Sequence, residues 1–190
     1  MGAVILHVTM SLDGFIAGPD VGVDHPMGVG GLRLHEWLFN ADTNETDSTI
    51  VKHHFAAVGA VVLGRRTFDV GIDIWKDTPY PAPSFVVTHR GRDDLPMNSS
   101  TFTFVTEGVE TAIHQAKAAA GTKHVTLMGA DVAQQAIRAG LLDEIHLQLA
   151  PVLLGTGRRL FEHLGSEHIE LERTSVTESP YVTHLRFRLR

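Results

Sequence analysis

The chain contains no cysteine, and that absence removes disulfides, thiol nucleophiles and cysteine-based zinc sites together. It also lacks an excess of basic charge. Sixteen lysines and arginines stand against 22 aspartates and glutamates, for a net charge of −6. A broad nucleic-acid surface is therefore not expected, while a local basic pocket for one nucleotide remains open. No apolar run approaches the roughly 20 residues that span a bilayer. Ala3-Val4-Ile5-Leu6 is short, has no basic flank and meets His7 and Thr9 at once, so no targeting segment is expected. No repeat or low-complexity tract is visible. A soluble, cytoplasmic chain is expected, with residues 1–190 forming one domain around a real core.

What is present is an alternation of short apolar strands and helical patterns. Val4 to Met10 reads as a buried strand ended by Ser11-Leu12-Asp13-Gly14. Residues 18–31 hold five glycines and two prolines and read as a long irregular loop, the kind that tends to be functional or mobile. Leu32 to Phe39 reads as a short helix, and Asp47 as the cap of a second helix over Ser48 to Ala57. Strands follow at Val58 to Leu63, Ser84 to Thr88, Thr101 to Val105, His124 to Met128 and Glu144 to Ala150. Val109, Ala112, Ile113, Ala116 and Ala120 share one helical face ended by Gly121, and Val132 to Ala139 forms a further helix closed by Gly140. Residues 168–176 and 181–189 read as a terminal hairpin. The pattern predicts a three-layer α/β/α domain, with a mostly parallel central sheet and an antiparallel hairpin at its end.

One stretch suits a phosphate. In Val61-Val62-Leu63-Gly64-Arg65-Arg66-Thr67-Phe68 a strand stops at glycine and a helix can begin. Gly64 lets a ligand approach the backbone, the helix start offers unpaired N–H groups, and two guanidiniums add fixed charge. Thr88-His89-Arg90 and Met128-Gly129-Ala130-Asp131 end two further strands, where ligands of open α/β sheets sit. Alone, each of these is also an ordinary basic or capped turn.

In this order, with Ser11-Leu12-Asp13-Gly14 before them and Gly140-Leu141-Leu142-Asp143-Glu144 running to Pro151-Val152-Leu153-Leu154-Gly155-Thr156-Gly157 after them, these pieces resemble the dihydrofolate reductase-like family. The nearer match is the reductase domain of the bifunctional riboflavin-biosynthesis deaminase-reductases and their stand-alone relatives. The resemblance covers nearly the whole chain. It implies NADPH, and hydride transfer to a C=N bond of a pyrimidine- or pterin-like substrate, as in a 5-amino-6-(5-phosphoribosylamino)uracil reductase or a dihydrofolate reductase proper. The nicotinamide supplies the chemistry, and the protein positions two rings and one proton.

By the same resemblance, Arg65, Arg66 and Thr67 after Gly64 meet the cofactor phosphates, and Thr88, His89 and Arg90 lie beside the adenosine 2′-phosphate. Gly129 and Ala130, ahead of Asp131 and Val132, match the family's Gly-Gly pair, which carries a cis peptide and precedes the helix aimed at the pyrophosphate. Alanine in place of the second glycine is a departure. Asp13 and Gly14 border the nicotinamide. For the buried carboxylate that binds the heterocycle and helps protonate it, Glu36 beside Trp37 is the candidate by position and Asp42 its rival. Gly155-Thr156-Gly157-Arg158-Arg159 offers a further anion loop or an edge turn.

Twelve histidines invite a metal, but His53 and His54 are adjacent and lack the i, i+4 spacing of a chelating pair; none is expected. No nucleophile elbow is present, nor the Cys/His zinc signature of a nucleobase deaminase. A homodimer through the terminal hairpin is expected. A nucleotide-binding module with the same fold and no turnover is the alternative reading.

Overall fold

The computed structural model describes residues 2–40 and 44–190. The first strand, β1 (Val4–Ser11), turns through Asp13 and Gly14 into a short β2 (Phe15–Ala17). After the glycine-rich loop come a 3-10 helix, Gly31–His35, and a single α turn, α1 (Glu36–Phe39). Then follow α2 (Glu45–Ala57), β3 (Val58–Gly64), α3 (Arg65–Trp75), β4 (Ser84–Val87), β5 (Leu95–Pro96) and β6 (Thr101–Val105). The second half holds α4 (Val109–Ala120), β7 (His124–Met128), α5 (Ala130–Arg138), β8 (Glu144–Ala150) and β9 (Arg158–Arg159). A hairpin of β10 (Leu171–Glu178) and β11 (Thr183–Leu189) ends it.

Nine strands form one sheet in the order β10-β11-β8-β1-β7-β3-β4-β6-β5, and β2 pairs with β9 separately. The six strands from β8 to β6 run parallel, while β11, β10 and β5 run antiparallel to their neighbours. Alternation along each strand then assigns side chains to two faces. One face carries Val4, Leu6, Val62, Leu127 and Leu147, all buried beneath Ile113 and Ala116 of α4 and Ala133 and Ile137 of α5. The other carries Val61, Leu63, Val86 and Phe102, packed with Phe68 of α3. The three layers anticipated from the sequence are present.

The second face is not uniform. Below α3 it is apolar, but below α2 the neighbouring strands present His7, Thr9, His146, Gln148 and His184, which the register places on one side. The only fully buried residue of α2 is Asp47. Its carboxylate meets Nε2 of His184 at 2.7 Å, and Trp37 packs edge-on against that imidazole while donating its indole N–H to Thr9. Asp47 is thus no helix cap. The helix begins at Glu45, and Asn44 caps it by accepting the Asp47 N–H at 3.0 Å. That puts Asp47 in the first turn with its side chain turned inward.

Other boundaries moved for local reasons. The helix placed at Leu32 to Phe39 splits into a 3-10 turn and one α turn. The helix placed at Val132 starts at Ala130, because Gly129 takes the cap position with φ of 94°. The hairpin strands run 171–178 and 183–189, with a bulge between Arg173 and Ser175.

Candidate functional site

Strands β7, β3 and β4 are parallel neighbours, with Leu63 opposite Met128 and Gly64 opposite Val87. Their carboxyl ends therefore finish side by side. From two of them a helix starts at once, α3 at Arg65 and α5 at Ala130, so two sets of unpaired helix N–H groups converge. Above them lies a cleft of about 1050 Å³, roofed by residues 16–21, at the end of β2 and the start of the glycine-rich loop, and by Thr156, Gly157 and Arg158. Gly64, Arg65, Arg66, Thr67, Thr88, His89, Arg90, Gly129, Ala130, Asp131 and Val132 all line it. The three segments singled out in the sequence are thus brought together.

The lining is basic. Arg66 and Arg90 are exposed, and Arg66 donates to the carbonyl of Val21 at 2.7 Å, tying the roof to α3. Arg65 pairs with Asp69 one turn on, at 2.8 Å. Thr88 is buried, and its hydroxyl both accepts the Arg90 N–H at 3.1 Å and donates to the Arg90 carbonyl at 3.3 Å. It shapes the turn that presents His89 and Arg90. Val132 is a core residue that meets the cleft only at its edge.

Two glycines make room. A side chain at Gly129 would place its first carbon 2.8 Å from the Thr67 hydroxyl oxygen, and one at Gly157, where φ is 140°, would strike the Ala17 carbonyl at 2.1 Å. Glycine at both points lets the chain pack closely against Thr67 and Ala17, where a side chain would clash. All peptide bonds among the described residues are trans, so the Gly129–Ala130 bond is trans, unlike the pair that the resemblance implied. Asp131 does not cap its helix. Its carboxylate pairs with Arg158 across the cleft mouth, which offsets an acid beside a phosphate-binding end.

Glu36, the candidate acid, and Asp13, expected beside the nicotinamide, do not line the cleft. Glu36 is exposed, pairs with Arg33 at 3.1 Å and does not line the cleft. The position in sequence was right for a helix after the loop, but α1 is only one turn long and turns Trp37, not Glu36, inward. Asp13 is used up as a clip. It accepts from the Ser11 hydroxyl at 2.6 Å and from the N–H groups of Leu154 and Gly155 at 3.1 and 2.7 Å. The Ser11 hydroxyl, above all, holds its pKa below the usual carboxylate range. Its carbonyl also accepts from Arg159 at 3.1 Å, so Asp13 and Gly14 fix the 155–159 turn against β2. Asp42 lies outside the described residues.

Sequence reasoning missed the pairing of Asp47 with His184, both of them buried. A signal existed. Asn44-Glu45-Thr46-Asp47 has the spacing of a capping residue followed three positions later by an acid, which moves the helix start back to Glu45.

The sequence matches the RibD C-terminal domain family over residues 3–185. It is 26% identical over 163 residues to the uncharacterized protein YwjB of Bacillus subtilis, spanning 86% of this chain and 84% of that one. Among solved structures, a Shewanella protein assigned to riboflavin biosynthesis superimposes with a TM-score of 0.76 at 24% identity, over 99% of both chains. A pyrimidine reductase-like protein of Corynebacterium diphtheriae gives 0.66 at 15%, over 100% of this chain and 92% of that one. The deaminase and 5-amino-6-(5-phosphoribosylamino)uracil reductase of Thermotoga maritima gives 0.65 at 15%, with all of this chain on 57% of that one. At these identities the likeness establishes the fold, which is dihydrofolate reductase-like.

Proposed function

Since the chain belongs to the RibD C-terminal domain family, whose character is reductase-like, we propose that it is an NADPH-dependent oxidoreductase acting on a C=N bond of a pyrimidine- or pterin-like substrate. One observation carries this reading: two helix N-termini and four arginines surround a single cleft at the ends of three adjacent parallel strands. The residues fit the cofactor. Arg65, Arg66 and Thr67 at the start of α3 would hold the pyrophosphate, and Arg90 with His89 would hold the 2′-phosphate.

Bound NADPH supplies the hydride. The chain's own share is position and exclusion of water. The clip at Asp13 holds the 155–159 turn against β2, so the roof keeps its height above the strand ends. The Val21–Arg66 bond holds the other side of the roof. Titration of the full chain with NADPH and NADH, followed by calorimetry, tests the reading. Binding of NADPH at least tenfold tighter than NADH is expected. No NADPH binding at all removes the proposal.

A second reading is favoured by one specific observation. The acids that line the cleft, Asp20, Asp69 and Asp131, are all exposed, whereas a carboxyl proton donor calls for a buried, apolar seat. A nucleotide-binding module without turnover fits that fact. Oxidation of NADPH followed at 340 nm, with pteridines and ribosylaminopyrimidines as acceptors, separates the two. Binding without oxidation on every acceptor favours the module. We also propose a homodimer formed through the exposed edge of β10, where Leu171 and Val176 stand in solvent; a monomer in sedimentation equilibrium rejects it.

A further inference from the structure

The cleft does not end at the first turn of α3. It continues along that helix as an arm between α3 and the glycine-rich loop. Residues 66, 70 and 74 follow one another a turn apart, with 67, 71 and 75 beside them, so a single stripe of α3 lines both parts. Arg66, bonded to the Val21 carbonyl, stands where the arm begins. Val70 and Ile74 lie about 6 and 12 Å further along the helix axis.

Both walls of the arm are built and apolar. On the helix side Val70, Ile74 and Trp75 line it, and Ile74 is 55% exposed, an apolar side chain largely without cover. Gly71 sets the place of the indole. A side chain there would put its first carbon 2.3 Å from the Trp75 ring, so glycine lets that ring fold back against the helix one turn earlier. On the loop side stand Pro19, Pro26 and Met27. The loop is held by its own backbone. The Gly18 N–H donates to the Met27 carbonyl at 2.9 Å, and Gly22 and His25 exchange N–H bonds at 3.0 and 3.2 Å. At its neck the chain packs so closely that a side chain at Gly28 would meet the Gly18 carbonyl oxygen at 2.2 Å.

Charge divides the cleft in the same way. Its cations, Arg65, Arg66, His89, Arg90 and Arg158, belong to the start of α3, the end of β4 and the 155–159 turn. Among the described residues none lines the arm past Arg66, and the charged groups that share the lining with its walls, Asp20 and Asp69, are acids. A phosphate or carboxylate held there would lose water without gaining a partner. An uncharged apolar group would instead cover Val70, Ile74 and the indole.

We infer, on the reductase reading of the cleft, that this arm takes an uncharged apolar substituent carried by the heterocyclic substrate, in place of a phosphorylated sugar. The test is calorimetry on the full chain with NADPH saturating and three probes: uracil, 6-benzyluracil and uridine 5′-phosphate. 6-Benzyluracil is expected to bind about tenfold tighter than uracil, through the apolar area its ring loses to the arm, and uridine 5′-phosphate no tighter than uracil. Ile74→Asp, at an exposed position, removes the benzyl gain; Met27→Asp removes it from the loop side and serves where the first variant melts early. With NADPH bound, absence of a benzyl gain, an equal gain from the ribose phosphate, or a benzyl gain that survives both variants overturns the arm and leaves the cofactor reading intact. Failure of NADPH to bind the unaltered chain removes the cofactor reading, and the arm's role with it.

Discussion

Arg66 holds the carbonyl of Val21, and in the proposed function the same guanidinium serves a phosphate. A charged hydrogen bond contributes about 1.5–3 kcal/mol, so Arg66→Ala is expected to weaken NADPH binding about 10- to 100-fold by calorimetry. Arg90→Ala is expected to narrow the preference for NADPH over NADH while leaving NADH affinity near its starting value. Asp131→Asn gives the opposite sign. It releases Arg158 from its ion pair and removes an acid from the start of α5, so NADPH binds several-fold tighter as α5 loses about 0.3–1 kcal/mol of dipole stabilisation. That these residues share one cleft was legible in sequence because glycine, arginine and threonine at strand ends carry their pattern locally. Glu36 was misleading for the same reason. Nothing within its own neighbourhood tells that a one-turn helix points Trp37 inward, and Asp47 gains its meaning only from His184, 137 residues away.

At the scale of elements, α2 differs from α4 and α5. The last two bury runs of alanine, valine and isoleucine on an apolar face, whereas α2 rests on imidazoles and an amide. His7 and His54 stack at 3.7 Å, and the Tyr80 hydroxyl meets His54 at 3.1 Å. Burial, with like charge from His54 and His146, holds His7 well below the ordinary imidazole pKa; burial takes His54 down to about 4 and lowers His146 against the pull of Glu144. Glu45, Asp47, His53, His124, His184 and Arg186 complete the titratable and charged groups around this seat.

The sign follows from the unfolded chain, whose histidines titrate near 6.5 and so bind protons first on acidification. The contribution of these groups to stability is full above pH 6.5 and is lost as pH falls toward 4. Urea melts between pH 7.5 and 4.5 are expected to show a steady drop in midpoint. His54→Phe, which keeps a ring against His7, flattens that slope. Asn44→Ala costs about 1 kcal/mol through the lost cap. The histidine count was readable beforehand, but the helix start was placed late, at Ser48; that six of the twelve histidines line one hollow was not readable, because strands β1, β7, β8 and β11 meet only in the folded sheet.

For the whole molecule, the parallel sheet and its two helix layers were visible as alternation in the sequence, since buried strands and alanine-rich helices repeat their periods over many residues. The fine topology was not, because β1 enters between β7 and β8 by pairings far apart in the chain. The large core below α4 and α5 sets global stability. Ile113→Ala, at a fully buried position, is expected to cost about 2–5 kcal/mol in equilibrium unfolding. The polar seat of α2 has a different consequence. A helix with a single buried residue, itself an aspartate, separates from its sheet with little apolar surface exposed. In native-state hydrogen exchange, its amides are expected to open at low denaturant dependence, while those of β1, β7 and β3 exchange only through global unfolding. Sequence drift in α2 is correspondingly cheap in folding terms, so a lineage can re-line the ground beneath it with new side chains and keep the nucleotide cleft and the main core as they are.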